Sequence, residues 1–172
     1  MAIEIHLPIV KTLAWPDESH TRDFARALAQ RLQAAGPGLS ACVALHGDLG
    51  AGKTTLVRHL LQALGVEGRI KSPTYAVVEP YSVAGAGAEP LAIWHFDFYR
   101  FNDPDEWEEA GFRDIFAGPG LKLVEWPDKA GRHLPAPDLR LCLETIQGEG
   151  DAQERRVNLH ALTPTGAALM AA

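Results

Sequence analysis

The run His46-Gly47-Asp48-Leu49-Gly50-Ala51-Gly52-Lys53-Thr54-Thr55 carries residue types suited to gripping a polyphosphate. Gly47, Gly52, Lys53 and Thr54 occupy the fixed places of the pattern G-x-x-x-x-G-K-[ST]. Glycines allow the positive φ angles with which successive backbone N–H groups turn inward around phosphate oxygens. Lys53 can reach the β- and γ-phosphates, and the Thr54 hydroxyl can take a place on Mg²⁺. A helix starting at this point aims its positive dipole end at the same anions. The segment Asp48, Leu49, Gly50, Ala51, Gly52, Lys53, Thr54 and Thr55 is therefore the expected binding loop for a nucleoside triphosphate.

Such a site needs a further acid at the C-terminal end of a strand beside the loop, holding Mg²⁺ directly or through water. Asp97 closes the apolar run Leu91–Phe96, and Glu125 closes Leu121–Val124. Both qualify, and periodicity does not choose between them. The economical arrangement gives one carboxylate to the metal and leaves the other to orient water, as a general base or a positioning group. In Lys71-Ser72-Pro73-Thr74-Tyr75, Thr74 stands where a switch threonine would, its hydroxyl able to approach the γ-phosphate; a plain Ser-Pro-Thr turn is the simpler alternative. The base is constrained by absence. There is no Asn-Lys-x-Asp run for guanine and no Leu-Ser-Gly-Gly signature, so ATP is preferred over GTP.

The elements that must position these residues can be read from spacing. Ala41–Leu45 is an apolar run suited to a buried strand before the loop. After it, Leu56, Val57, Leu60, Leu61 and Leu64 recur at helical spacing, and Gly65 supplies the stop. Upstream, Ile3, Ile5, Leu7 and Ile9 alternate as in a half-buried strand. Asp17 or Ser19 then offers an N-cap to a helix with Phe24, Leu28 and Leu32 on one face, ended by Gly36-Pro37. Glu18 and Thr21 in its first turn, and Arg156 far downstream, are candidates for the adenine side; an ordinary solvated turn is the competing account of the first two. Ala76–Glu79 reads as a strand, Ser82–Pro90 as a mobile hairpin loop, and Asp103–Gly111 as a short helix with Asp103 as N-cap and Pro104 first. Asp138–Ile146 and Arg155–His160 alternate as a closing antiparallel pair. The tail from Thr163 has few anchors, leaving a short helix or a frayed end. No linker, repeat or biased segment interrupts the chain, and residues 1–172 read as a single domain.

Composition sets limits on function. The 172 residues are 47% hydrophobic and 22% charged, ordinary for one globular domain, with a net charge of −6. That balance argues against a large nucleic-acid surface, which needs clustered Lys and Arg. No apolar run nears the length of a membrane span, and the N-terminus lacks the features of a signal peptide, so a cytoplasmic protein is expected. Cys42 and Cys142 sit far apart in apolar runs and read as small core residues rather than a disulfide or metal ligands.

Four blocks together resemble a known family. The loop His46–Thr55, Lys71-Ser72-Pro73-Thr74-Tyr75, His95-Phe96-Asp97-Phe98-Tyr99-Arg100 and Val124-Glu125-Trp126-Pro127 are similar, in order and spacing, to those of the TsaE (YjeE) family. Its members are tRNA threonylcarbamoyladenosine biosynthesis ATPases. The similarity extends from about Ile5 to Leu159. Two stretches depart from the family: Ser82–Pro90 is longer and richer in Gly and Ala, and Gln147–Arg156 does not match its Gly-Arg pattern. The resemblance implies an α/β fold, a P-loop NTPase-like three-layer sandwich with a mixed central sheet. It implies a subunit that binds ATP and Mg²⁺, hydrolyses ATP slowly alone, and does so faster with TsaB-like and TsaD-like partners. The threonylcarbamoyl transfer to the adenosine beside the anticodon belongs to the TsaD-like partner, and this chain would reach tRNA only indirectly. On the same basis Thr54 and Glu125 hold the metal, Thr74 is switch-like, Asp97 activates water, and Trp126 lies near the nucleotide and reports its binding by fluorescence.

A small-molecule kinase is the competing expectation, since short P-loop chains often phosphorylate metabolites. A kinase usually carries an Arg-bearing lid, and only Arg155-Arg156 could serve.

Overall fold

The apolar runs that end in the candidate site residues become neighbouring parallel strands. The computed structural model describes residues 6–85 and 87–170. Its elements are β1 (Ile9–Trp15), α1 (Glu18–Ala34), β2 (Ser40–His46), α2 (Lys53–Leu64), β3 (Val78–Val83), β4 (Leu91–Asp97), α3 (Asp105–Glu109), α4 (Arg113–Ala117), β5 (Gly120–Glu125), β6 (Leu139–Gln147), β7 (Gln153–Ala161) and α5 (Pro164–Met170). Two 3₁₀ turns, Pro127–Lys129 and Gly131–His133, follow β5. The sheet has the order β1-β7-β6-β2-β5-β4-β3. β2 runs parallel to β5 and β6, and β4 parallel to β5, whereas β1–β7, β6–β7 and β3–β4 pair antiparallel. The mixed sheet is the one expected.

Side-chain alternation builds three layers. Ala41, Val43 and Leu45 of β2 share a buried cluster with Leu28 and Leu32 of α1 and Leu56, Leu60 and Leu61 of α2. Cys42 of the same strand points the other way, into an aromatic cluster with Phe96, Phe98, Trp107, Phe112 and Val124 under α3 and α4. With both faces covered, every residue of β5 is buried.

Local signals set the helix ends. The Asp17 carboxylate accepts from Ser19 N (2.9 Å) and His20 N (3.3 Å), so Asp17 and not Ser19 caps α1. Gly65, at φ 105°, stops α2 as predicted. The Asp103 carboxylate accepts the Asp105 N–H (2.9 Å), but α3 starts at Asp105 with Pro104 at its N-cap, one residue later than expected. The acids of α3 are engaged locally: Glu106 accepts from Asn102 N and Asp103 N, and Asp105 meets His133 at 2.7 Å. The tail forms α5.

Several element bounds differ from expectation. Ile3 and Ile5 lie outside the described residues; of the other two, Leu7 precedes β1 and Ile9 begins it. β1 instead runs to Trp15, because its ladder from Ile9–Ala161 to Trp15–Arg155 is dictated by β7. β3 begins at Val78 rather than Ala76, since Val77 sits at φ 71°, a conformation a β-branched residue cannot carry within a strand. A helix, α4, follows Gly111 where none was foreseen.

Candidate functional site

The glycine-rich loop leaves the C-terminal end of the central strand β2 and enters α2. Gly47 stands at φ 150°, and a Cβ there would come 2.6 Å from the Leu143 carbonyl oxygen, so the loop fits against β6 only without a side chain. Gly52, at φ 103°, turns the chain into the helix. Lys53, 5% exposed, folds back over the loop and donates to the carbonyl oxygens of Gly47 and of Asp48 (2.9 Å to the latter). Its ammonium lies 4.2 Å from the centre of the Trp126 ring. Burial lowers its pKa, while the negative charges of Glu125, Asp97 and Asp48 push the other way.

Register brings the acids alongside. β4 and β5 pair with Asp97 opposite Glu125, and Glu125 is in turn opposite Leu45 of β2. Both carboxylates are almost wholly buried, and each has its own partners. Glu125 Oε1 accepts from the Thr54 hydroxyl (2.8 Å), and Oε2 lies 2.5 Å from Nε2 of His95. Asp97 Oδ2 accepts from Ser72 (2.6 Å) and Thr74 (3.3 Å), while Oδ1 accepts the backbone N–H of Tyr99 (2.9 Å). The sequence left the two acids interchangeable; the structure pairs one with the helix-start hydroxyl and the other with the 72–74 loop. The only two described non-glycine residues at positive φ, Val77 (71°) and Trp126 (56°), follow Thr74 and Glu125 closely. Backbone held off its preferred basin costs about 1–3 kcal/mol and clusters at functional sites.

Leu49, Gly50, Gly52, Lys53, Thr54, Thr55, Ser72, Thr74, Asp97, Tyr99, Glu125, Trp126 and Arg155 surround one hollow of about 390 Å³. Asp48 and Ala51 do not line it; Asp48 contributes its carbonyl to Lys53, and Ala51 borders a second hollow of about 140 Å³. That smaller space is walled by Trp15, Asp17, Glu18 and Thr21 and shares Gly52, Thr55 and Arg155 with the larger. Glu18 and Thr21, the candidates from the first turn of α1, both wall this smaller hollow, with Glu18 also meeting His59 of α2 at 2.8 Å. Arg156 does not. It projects from the opposite face of β7 and pairs with Glu144 at 3.6 Å, because neighbouring strand residues face opposite ways.

Arg155 lines both hollows, donating through Nε to Ala51 O (2.8 Å) and through a terminal nitrogen to Gly50 O (3.3 Å). Spacing alone gave it no priority over Arg156, since the register of β7 decides which of the two meets the loop. Ser72 and His95 were likewise not singled out; each lies inside a quoted block, but nothing in the sequence says which carboxylate it would meet.

Chemically, the site offers a lysine and backbone amides for anions and a hydroxyl–carboxylate pair for a hard cation. It also has a separate carboxylate held by two hydroxyls. Among the described residues no cluster of three or more His, Cys, Asp or Glu is arranged as a metal site. A cation bound by Thr54 and Glu125 would need its other ligands from water and phosphate, the habit of Mg²⁺. No described helix is long and apolar enough to cross a membrane.

A family model described as threonylcarbamoyl adenosine biosynthesis protein TsaE matches residues 15–157. A tRNA threonylcarbamoyladenosine biosynthesis protein TsaE from Haemophilus influenzae is 41% identical over 157 residues, covering 91% of this chain and 93% of its own. One from Bacillus subtilis is 36% identical over 118 residues, covering 69% and 68%, and one from Streptomyces coelicolor is 34% identical over 142 residues, covering 82% and 90%. The crystal structure of YdiB from Bacillus subtilis matches with a TM-score of 0.67 over 96% of this chain and 94% of that one. At 24% identity, that likeness speaks for the fold alone.

Proposed function

This chain belongs to the TsaE family of threonylcarbamoyl adenosine biosynthesis proteins, and on that premise we propose that it is the ATP-binding and slowly hydrolysing subunit of a tRNA-modifying system. The observation that carries the reading is the meeting of Lys53, Thr54, Asp97 and Glu125 around one hollow at the ends of β2, β4 and β5. The loop amides and Lys53 bind the phosphates. The smaller hollow beside Thr55 takes the base, with Glu18, Thr21 and Trp15 at its wall. Arg155 fixes the loop's shape by holding two of its carbonyls.

Thr54 and Glu125 fit Mg²⁺, being two hard oxygen donors that already converge at 2.8 Å. When bound, the metal supplies charge neutralisation at the phosphate oxygens. Asp97 acts on the water side, orienting it directly or through Thr74, whose hydroxyl the carboxylate holds. In this reading Lys53 leaves its carbonyl partners for the stronger charge-assisted bonds a phosphate offers. Its departure from the Trp126 face makes that indole a reporter of occupancy.

TsaB-like and TsaD-like subunits are the proposed partners, in the cytoplasm. A net charge of −6 suits a protein that reaches tRNA through them. The test is ATP turnover by the protein alone and with the TsaB and TsaD subunits of its organism. Slow turnover that the pair accelerates is the expected result. Absence of ATP binding would refute the reading, and phosphate appearing on an added metabolite would favour a kinase.

A further inference from the structure

His95 is fully buried beside the site and does not line the hollow. Its Nε2 lies 2.5 Å from Glu125 Oε2, while Nδ1 is buried and meets no hydrogen-bond partner among the described residues. A single ring proton suits this arrangement only on Nε2. Placed on Nδ1, it would leave an unpaired buried donor and set the Nε2 lone pair against a carboxylate oxygen. The ring therefore donates to Oε2, as the Thr54 hydroxyl donates to Oε1. Of these two donors only Thr54 lines the hollow. Glu125 shows the site one oxygen and keeps the other tied into the sheet.

We propose that His95 is a positioning residue that fixes Glu125 as a one-oxygen ligand and so sets the site's preference for Mg²⁺ over Ca²⁺. The inference rests on the reading of Glu125 as the metal acid. Ca²⁺ gathers roughly 6–8 oxygens and readily takes both oxygens of a carboxylate. Mg²⁺ requires a tight octahedron and is content with single carboxylate oxygens plus water and phosphate. A carboxylate whose second oxygen is tied to a ring N–H outside the hollow is held against chelation, because both oxygens would have to turn to one cation. The hold is stiff, because His95 and Glu125 sit on paired central strands, His95 opposite Leu123 two positions before the acid. Without the donor, Oε2 loses its only described partner and is free to swing toward the hollow.

The test compares wild type, His95→Leu, which fills the space without a donor, and His95→Gln, whose amide nitrogen can stand in for Nε2. Calorimetric titration of a non-hydrolysable ATP analogue is run with Mg²⁺, with Ca²⁺ and in EDTA. Loss of an outer-shell partner typically costs roughly 10–100-fold in metal affinity. We expect His95→Leu to lose about 10-fold or more in the Mg²⁺ titration, to narrow the Mg²⁺ to Ca²⁺ ratio, and to keep the EDTA value, with His95→Gln restoring the ratio. An unchanged ratio in His95→Leu overturns the inference while leaving Glu125 as metal acid. Wild-type binding that is indifferent to metal overturns the reading of Glu125 and this inference with it. Should His95→Leu not fold, His95→Asn, whose amide stops short of Oε2, takes its place beside His95→Gln with the same outcomes.

Discussion

Replacing Asp97 by Asn and by Ala separates the loop-holding role its hydrogen bonds show from the water-orienting role proposed for the same carboxylate. It holds the 72–74 loop through Ser72 and Thr74, and it faces the hollow where water would be oriented. The bonds to Ser72 (2.6 Å) and Tyr99 N (2.9 Å) are short and charge-assisted. Hydrogen bonds to charged groups contribute about 1.5–3 kcal/mol each, so losing both in Asp97→Ala costs about 3–6 kcal/mol before water enters the gap. At about 2–4 °C per kcal/mol for a chain of this size, a fall of about 6 °C or more in Tm is expected. Asp97→Asn keeps an oxygen for Tyr99 N and turns an amide toward hydroxyls that can accept, so its Tm should stay within about 3 °C of wild type. If the carboxylate handles water, turnover falls in both variants, by about 100-fold or more. Thermal melts and steady-state ATP hydrolysis measure the two effects independently. Wild-type turnover in Asp97→Asn would show that the residue is a loop anchor only, and the assignment to water would be wrong.

Lys53→Ala should abolish tight ATP binding by calorimetry, since it removes the cation facing the β/γ-phosphates; retained affinity would refute its role. Arg155→Ala removes the donors to Ala51 O and Gly50 O and should weaken ATP binding about 10-fold, against no change for Arg156→Ala on the far face. The Asp17 carboxyl is held at about 2 by hydrogen bonds from Ser19 and His20, below its ordinary 3.8. Its folded pKa is depressed, so the stabilisation is present above pH 3.8 and lost as pH falls toward 2. Melts of wild type and Asp17→Ala should therefore converge on acidification across that window. Burial pushes the Cys42 thiol up to about 12, so at pH 8 it should resist alkylation until the protein unfolds, which mass mapping of labelled peptides would check.

The loop and both acids were legible because their signals are local: fixed glycine spacing, apolar runs ending in carboxylates, and helical recurrence after Lys53. What the sequence withheld depends on register. Asp97 and Glu125 look alike along the chain and acquire separate partners only when β4 and β5 align. Arg155 and Arg156 differ by one residue, and pairing of β7 with β1 and β6 turns the former to the loop and the latter away. The extent of the first strand to Trp15 was missed for the same reason. Alternation at Ile3–Ile9 is a weaker constraint than the ladder a partner imposes on Ile9–Trp15. His95 was invisible as a partner of Glu125, since 30 residues separate them in sequence.

The connection between β3 and β4 joins the ends of those strands that lie away from the glycine-rich loop. Its described residues border a separate hollow of about 300 Å³ with Gly38, Leu39 and Gly120, where β2 and β5 begin. Length can drift at this hairpin without disturbing the residues around the glycine-rich loop. A peptide tag or fluorophore grafted near Gly87 would accordingly ride on the molecule as a silent passenger, leaving turnover assays interpretable.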